Sequence, residues 1–180
     1  VEPLGASPRQ GAALDRYPEL ALVAGDMAET DSTGNVLVPS VLARHGLKEG
    51  FDRLMGAPVP NGAARLLQKN FIPTGTVLAR TRVLRQLGGF NTSIRYGEDL
   101  ELWVRIAARH AIACLPEVLM MRRKHGENVT GHSLQLQIDL VKVMRSLRGI
   151  RASELRRQGV DPDRMVANAL NDLGYWHFDH

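Results

Sequence analysis

The sequence predicts an α/β domain followed by an all-helical tail, on three observations. Leu20-Ala21-Leu22-Val23-Ala24-Gly25 and Ala111-Ile112-Ala113-Cys114-Leu115 are short continuous apolar runs, the pattern of strands covered on both faces of a sheet. Between them, Leu100, Trp103, Val104 and Ala107 mark one face of an amphipathic helix. From His132 onward the β signal disappears, and Leu134, Ile138, Val141, Val143 and Met144 begin a helical pattern. The predicted division is therefore residues 1–130 and a tail at 131–180.

Each element follows from local pattern. The first 18 residues are rich in Gly, Pro and Ala and read as loop, with a short helix around Gly11 to Arg16. After the strand at Leu20, Asp26-Met27-Ala28-Glu29-Thr30-Asp31 reads as an acidic turn. Asp31-Ser32-Thr33-Gly34-Asn35 is a turn by composition, and Val36-Leu37-Val38 a second strand. Pro39, Pro58 and Pro60 break any long element before a helix at Ala63 to Lys69. Asn70 to Thr76 is a loop leading into a strand at Val77 to Ala79. A short helix, Arg82 to Leu87, stops at Gly88-Gly89. The helix opened by Glu98 runs to about His110. Pro116 separates strands at Ala111 to Leu115 and Val118 to Met121, and Lys124 to Thr130 is a polar loop. The tail reads as a long helix from Leu134, then helices at Arg151 to Gln158 and Asp163 to Leu173.

Composition excludes several classes. With 180 residues, 44% hydrophobic and 23% charged, the chain has the makings of a globular core and not of a disordered one. Its apolar runs, such as Val118 to Met121, are too short to span a bilayer. The opening Val1 to Gly5 carries neither the basic region nor the apolar core of a signal peptide, and reads as a chain entered partway. Cys114 is the single cysteine, which excludes an internal disulfide and a cysteine zinc site; its apolar setting predicts a buried structural thiol. Net charge is +4, with basic residues gathered at Arg122-Arg123-Lys124 and from Arg145 to Arg157. These suit a phosphate-bearing ligand or an acidic membrane surface, or are simply solvated faces. Aromatic residues make up only 5% of the chain, too few for base-stacking platforms, which argues against nucleic acid.

Three stretches can carry chemistry. Glu98-Asp99 opens a helix with Gly97 as its N-cap, where the helix dipole favours anions. Spacing alone leaves two roles open: capping, the commoner one, and a positioned base. Arg122-Arg123-Lys124-His125-Gly126-Glu127-Asn128 offers cations and an imidazole, fit for a diphosphate or solvent, with His125 a candidate metal ligand. Asp26, Glu29 and Asp31 follow a buried strand, where α/β folds bind ligands and oxygen ligands can hold a divalent cation; an acidic turn is the plainer reading.

Taken in order, Asn70-Phe71-Ile72-Pro73-Thr74-Gly75-Thr76, Gly88-Gly89-Phe90, Glu98-Asp99-Leu100-Glu101-Leu102-Trp103-Val104-Arg105 and Arg123-Lys124-His125 resemble the second half of a family 2 glycosyltransferase of the GT-A fold. Pro18 to Val23 and Asp31-Ser32-Thr33-Gly34 also resemble that family's stretch downstream of its metal site. The resemblance covers roughly residues 17 to 130 and implies a partial GT-A-like mixed sheet with flanking helices. It further implies inverting transfer of a sugar from a nucleotide-diphosphate donor to an acceptor hydroxyl of a sugar or lipid-linked sugar. Asp99 would be the general base, and Glu98 would orient the site. Arg123 and His125 would lie over the diphosphate, with His125 also near the metal. Thr74, Gly75 and Thr76 would line the acceptor side. The family uses a divalent cation (Mn or Mg) whose main ligands lie in its first half, a stretch not matched here. The chain is accordingly expected to be a fragment, inactive alone, with a sheet edge exposed and poor solubility. The implied location is cytoplasmic, at the inner face of a membrane if the basic tail makes peripheral contact. The alternative from another class is a non-catalytic GT-A-like binding domain whose basic helical tail meets a partner.

Overall fold

The computed structural model describes residues 2–3, 7–124 and 134–179. In chain order, β1 (Glu2–Pro3), α1 (Pro8–Arg16), β2 (Leu20–Thr30) and β3 (Val36–Val38) come first. Three short helices follow, α2 (Val41–Arg44), α3 (Lys48–Leu54) and α4 (Gly62–Gln68). A single 3-10 turn at Thr74–Thr76 precedes β4 (Leu78–Ala79) and α5 (Thr81–Gln86). Next are α6 (Glu98–Ala107), β5 (Ala111–Arg123), α7 (Leu134–Arg157) and α8 (Pro162–Asp179). The architecture is mixed α/β, with a mixed sheet, flanking helices and a helical C-terminal region.

Internal contacts divide the chain into two compact units that do not follow chain order. The first holds residues 1–60, 70–84 and 110–128, and the second holds 61–69, 85–109 and 129–180. The stretches 61–69 and 85–109, which flank residues 70–84, thus group with residues 129–180.

The first unit is built on β2 and β5, which pair in parallel; β1 adds to β5, and both β3 and β4 add to β2, each antiparallel. Leu20, Leu22, Val23 and Ala24 have no exposed surface, as expected of a strand covered on both faces. α1 is fastened to this strand by Gln10. Its side-chain oxygen closes a capping box with Ser7, and its amide nitrogen donates to the carbonyls of Val23 (3.0 Å) and Thr76 (2.7 Å). Cys114 is a buried free thiol, whose pKa is pushed up by burial and by the nearby Asp26 carboxylate.

Two sequence expectations are corrected here. Asp26 and Glu29 are not in a turn; β2 continues through both to Thr30, and both are buried. The strand can run on because each carboxylate is supplied with donors, described below. Pro116 does not split its stretch either, because β5 is one strand from Ala111 to Arg123. Its register shows how: Ala24 pairs with Cys114 and Asp26 with Val118, so two steps on β2 face four on β5. The two extra residues form a bulge, the place in a sheet where a proline's missing N–H does least harm.

Gly25 lies opposite that bulge. A Cβ there would come within 2.4 Å of Leu119 Cδ1 and 3.1 Å of the Glu117 carbonyl oxygen. The Gly25 N–H donates to the Thr76 hydroxyl oxygen, and the Gly25 carbonyl accepts from that hydroxyl, each at 3.1 Å. Gly25→Ala is expected to cost about 1–3 kcal/mol of stability through overpacking. A urea unfolding midpoint equal to that of the wild type would contradict this account of the bulge.

The second unit is a helical assembly of α4, α6, α7 and α8. Leu66, Leu102, Ile106, Leu147 and Leu155 are among its fully buried side chains. Gln158 ties three of the helices: its oxygen accepts from the Ala63 N–H at 3.0 Å, and its nitrogen donates to the Ala107 carbonyl at 2.9 Å. The two tail helices expected on either side of residue 151 are one helix with a break, where Arg151 takes φ −135° and ψ 18°. Arg151 itself is buried. No described helix is long and apolar enough to cross a membrane.

Candidate active site at the Glu98–Asp99 turn

The acid pair stands on the first turn of α6, and every segment leading to it is held in place. Gly97 is the N-cap, with φ 82°, a conformation that penalises any residue with a side chain. Glu98 and Asp99 are half-buried, and Asp99 Oδ1 accepts from the Leu100 N–H at 2.6 Å. The expected helix is therefore present, with its acids at the positive end of the dipole.

Below the pair, α6 grips the glycine turn that precedes it. Arg105 is 6% exposed and uses its whole guanidinium. Nε donates to Glu101 at 2.8 Å, and the two terminal nitrogens donate to the carbonyls of Leu87 and Gly89, each at 2.6 Å. The planar fork of arginine suits three acceptors arranged in this way. Glu101, 1% exposed, is completed by the Ser146 hydroxyl at 2.8 Å. On another side of α6, Trp103 meets Phe90 edge to face, with ring centroids 5.8 Å apart. Thus Gly88-Gly89-Phe90 is fastened to the acid-bearing helix by hydrogen bonds and a ring contact.

The loop between them is fixed at three points. Asn91 closes a turn, accepting from Ser93 through its side chain and from the Ile94 N–H through its carbonyl. Ile94 is buried. Asp139, from α7, accepts from the backbone N–H groups of Arg95 and Tyr96, each at 3.2 Å. These are the last two residues before Gly97.

Thr74, Gly75, Thr76 and Arg123 belong to the first unit. Thr74 and Gly75 are exposed. Thr76 is 5% exposed, and its hydroxyl, bound to Gly25 and donating to the Pro73 carbonyl at 2.8 Å, serves to build the fold. Arg123 is exposed at the end of β5. His125 lies outside the described residues, as does the loop from 125 to 130.

The same unit holds a charge cluster. Glu29 has no exposed surface, yet Arg44 at 2.7 Å, Lys124 at 3.3 Å and Arg122 all pair with it. Burial pushes its pKa up, but the hydrogen bonds from Arg44, Arg122 and Lys124 outweigh that and hold it down to about 2. A folded-state pKa below the unfolded value of 4.5 means that Glu29 stabilises the fold fully above about pH 4.5. That contribution is expected to fade as pH falls from about 4.5 toward 2. Melting curves of wild type and Glu29→Gln should converge over this interval; a constant gap between them would refute the assignment.

Asp26 and Glu29 do not fit a divalent cation. Asp26 accepts from the Ser40 hydroxyl, from Leu42 N–H at 3.0 Å and from its own neighbour Met27 at 2.8 Å. Glu29 is surrounded by cations. Asp31 holds Thr33 and Asn35 in its turn, and these hydrogen bonds draw its pKa down to about 2. Among the described residues, no group of three or more His, Cys, Asp or Glu side chains could hold a metal ion.

No family model and no curated protein matches the chain.

The residues that build the acid turn include three with no role assigned from sequence. Glu101 and Arg105 are an i, i+4 acid–base pair, a spacing visible in the sequence, but one that more often marks a solvated face. Asp139 gave a clearer signal. It is an acid three and four positions from the apolar Leu136 and Val143, at the edge of the face that α7 buries.

Proposed function

We propose that this chain carries the acceptor-side part of an inverting glycosyltransferase that uses a nucleotide-diphosphate sugar. Asp99 takes the proton of the acceptor hydroxyl as that oxygen attacks the anomeric carbon, and the donor's diphosphate leaves. Glu98 orients the acceptor beside it. Arg123 and His125 keep the role that the resemblance implies, contact with the diphosphate.

The observation that carries this reading is the construction of the acid turn. A capping acid needs only a helix start. Here a buried arginine, an aromatic pair, a left-handed glycine and an acid from α7 all fix one half-buried carboxylate pair. Such over-determination suits a base that must meet its proton within hydrogen-bond reach.

The test is a transfer assay on the protein as its cells make it, comparing wild type with Asp99→Asn across nucleotide-sugar donors. An inverted anomeric configuration, read by NMR, and dependence on Asp99 are expected. A retained configuration, or equal turnover in the two proteins, would overturn the reading.

A second reading has one observation in its favour. On α8, Leu170, Tyr175 and Phe178 are 41%, 70% and 90% exposed. Large apolar side chains so placed suit a binding surface, and a non-catalytic domain would use them in place of the acid turn.

A further inference from the structure

The helical tail lies beyond the stretch that resembles a glycosyltransferase, and nothing in that resemblance gives it work to do. We infer that Asp139 of α7 is a positioning residue for the Glu98–Asp99 pair, so that the tail is part of the active-site apparatus and not a separate partner-binding module. This rests on the reading of Asp99 as the acceptor-side base.

The geometry is specific. The Asp139 side chain has no exposed surface. One oxygen, Oδ2, accepts from two successive backbone N–H groups, Arg95 and Tyr96. The other, Oδ1, accepts from Lys142 at 2.7 Å and Gln135 at 3.1 Å, both on α7. The carboxylate is thus anchored to its own helix through one oxygen and holds the loop through the other. Burial pushes its pKa up, but Lys142, the two amides and Gln135 together hold it below the ordinary range, so it stays an anion.

A carboxylate buried without net need costs stability, and an apolar residue would pack the site better. Its position explains the cost. Only one residue, Gly97, separates the held peptide from Glu98, and it has the most permissive backbone in the segment. Without an external hold, the loop would pivot at Gly97 and the acid pair would lose its aim. Val143 and Leu140, neighbours of Asp139 on α7, pack at 3.4 Å and 3.6 Å from where a Gly97 Cβ would stand. α7 therefore constrains the loop by hydrogen bonds and the pivot by contact.

An effect on aim predicts a particular kinetic pattern. Asp139→Ala should lower kcat for transfer by roughly 10- to 100-fold, the loss expected from about 1 Å of misplacement. KM for the donor should stay within about twofold, because only the positioning of the base is disturbed. Asp139→Asn can keep an oxygen on the two amides but turns a donor toward Lys142, so it should recover part of the loss. Amide hydrogen exchange at Arg95 and Tyr96 should quicken by at least about 10-fold in Asp139→Ala, while exchange across α8 stays unchanged.

Quickened exchange at Arg95 and Tyr96 with undiminished kcat would overturn the inference, as would a fall in kcat matched by a uniform rise in exchange. If Asp139→Ala does not fold, Lys142→Ala removes the ammonium that anchors the carboxylate and should show the same pattern with smaller amplitude. If the wild type transfers no sugar, the proposed function fails by itself. The positioning claim is then decided by the side-chain carboxyl NMR signals of Glu98 and Asp99. They must move in Asp139→Ala and return partway in Asp139→Asn; unmoved signals would refute it.

Discussion

Asp99→Asn is expected to lower turnover for sugar transfer roughly 10²- to 10⁴-fold, the range a general base contributes. Asparagine matches the carboxylate in size and still accepts a hydrogen bond, but it cannot take the acceptor's proton. The fold should hardly notice. Asp99 is half-buried on the first turn of α6, and removing its charge there forfeits about 0.3–1 kcal/mol of dipole interaction. Donor affinity should be unchanged, because the base acts on the acceptor. Turnover within about threefold of wild type would mean that the pair is a helix cap after all.

Arg105→Met is the substitution expected to damage stability most. It removes a guanidinium that serves Glu101 and the carbonyls of Leu87 and Gly89. Glu101, 1% exposed, would be left with the Ser146 hydroxyl alone. Breaking a buried pair by removing one partner costs about 3–5 kcal/mol, because the remaining charge stays desolvated. The double variant Arg105→Met with Glu101→Gln should regain part of that loss, since the stranded charge is gone. Urea denaturation of both variants checks this. A loss below about 1 kcal/mol would class the pair with exposed ion pairs.

The fold class was legible because its elements announce themselves by period. The apolar runs at Leu20 and Ala111 became the two central strands, and the pattern from Leu100 to Ala107 became α6. Where sequence reading failed, the cause was a partner distant in the chain. Asp26 and Glu29 look like turn residues until Ser40, Leu42, Arg44, Arg122 and Lys124 supply their hydrogen bonds. Pro116 looks like a strand end until the bulge opposite Gly25 absorbs it. Propensity scores a residue by its neighbours, so it cannot register donors that lie elsewhere in the chain. The acid turn was legible as a motif, but the means that fix it were not: the Arg105 fork needs the carbonyls of the glycine turn, and Asp139 needs the loop before Gly97. The Thr76 hydroxyl is hydrogen-bonded to Gly25 and Pro73, partners that no motif in the sequence announces.

The pairing of β2 with β5 has a consequence for how the protein is made. Leu20 finds its parallel partner at Ala111, 91 residues later. At roughly 5–20 residues per second, a ribosome needs on the order of 5–20 s to supply that partner. Throughout this interval a nascent strand of six wholly buried residues, Leu20 to Gly25, waits with only short edge strands available to it. Nonlocal pairing of this kind makes folding slow. Until its partner emerges, the exposed apolar strand is a site of aggregation, the hazard that chaperones exist to contain.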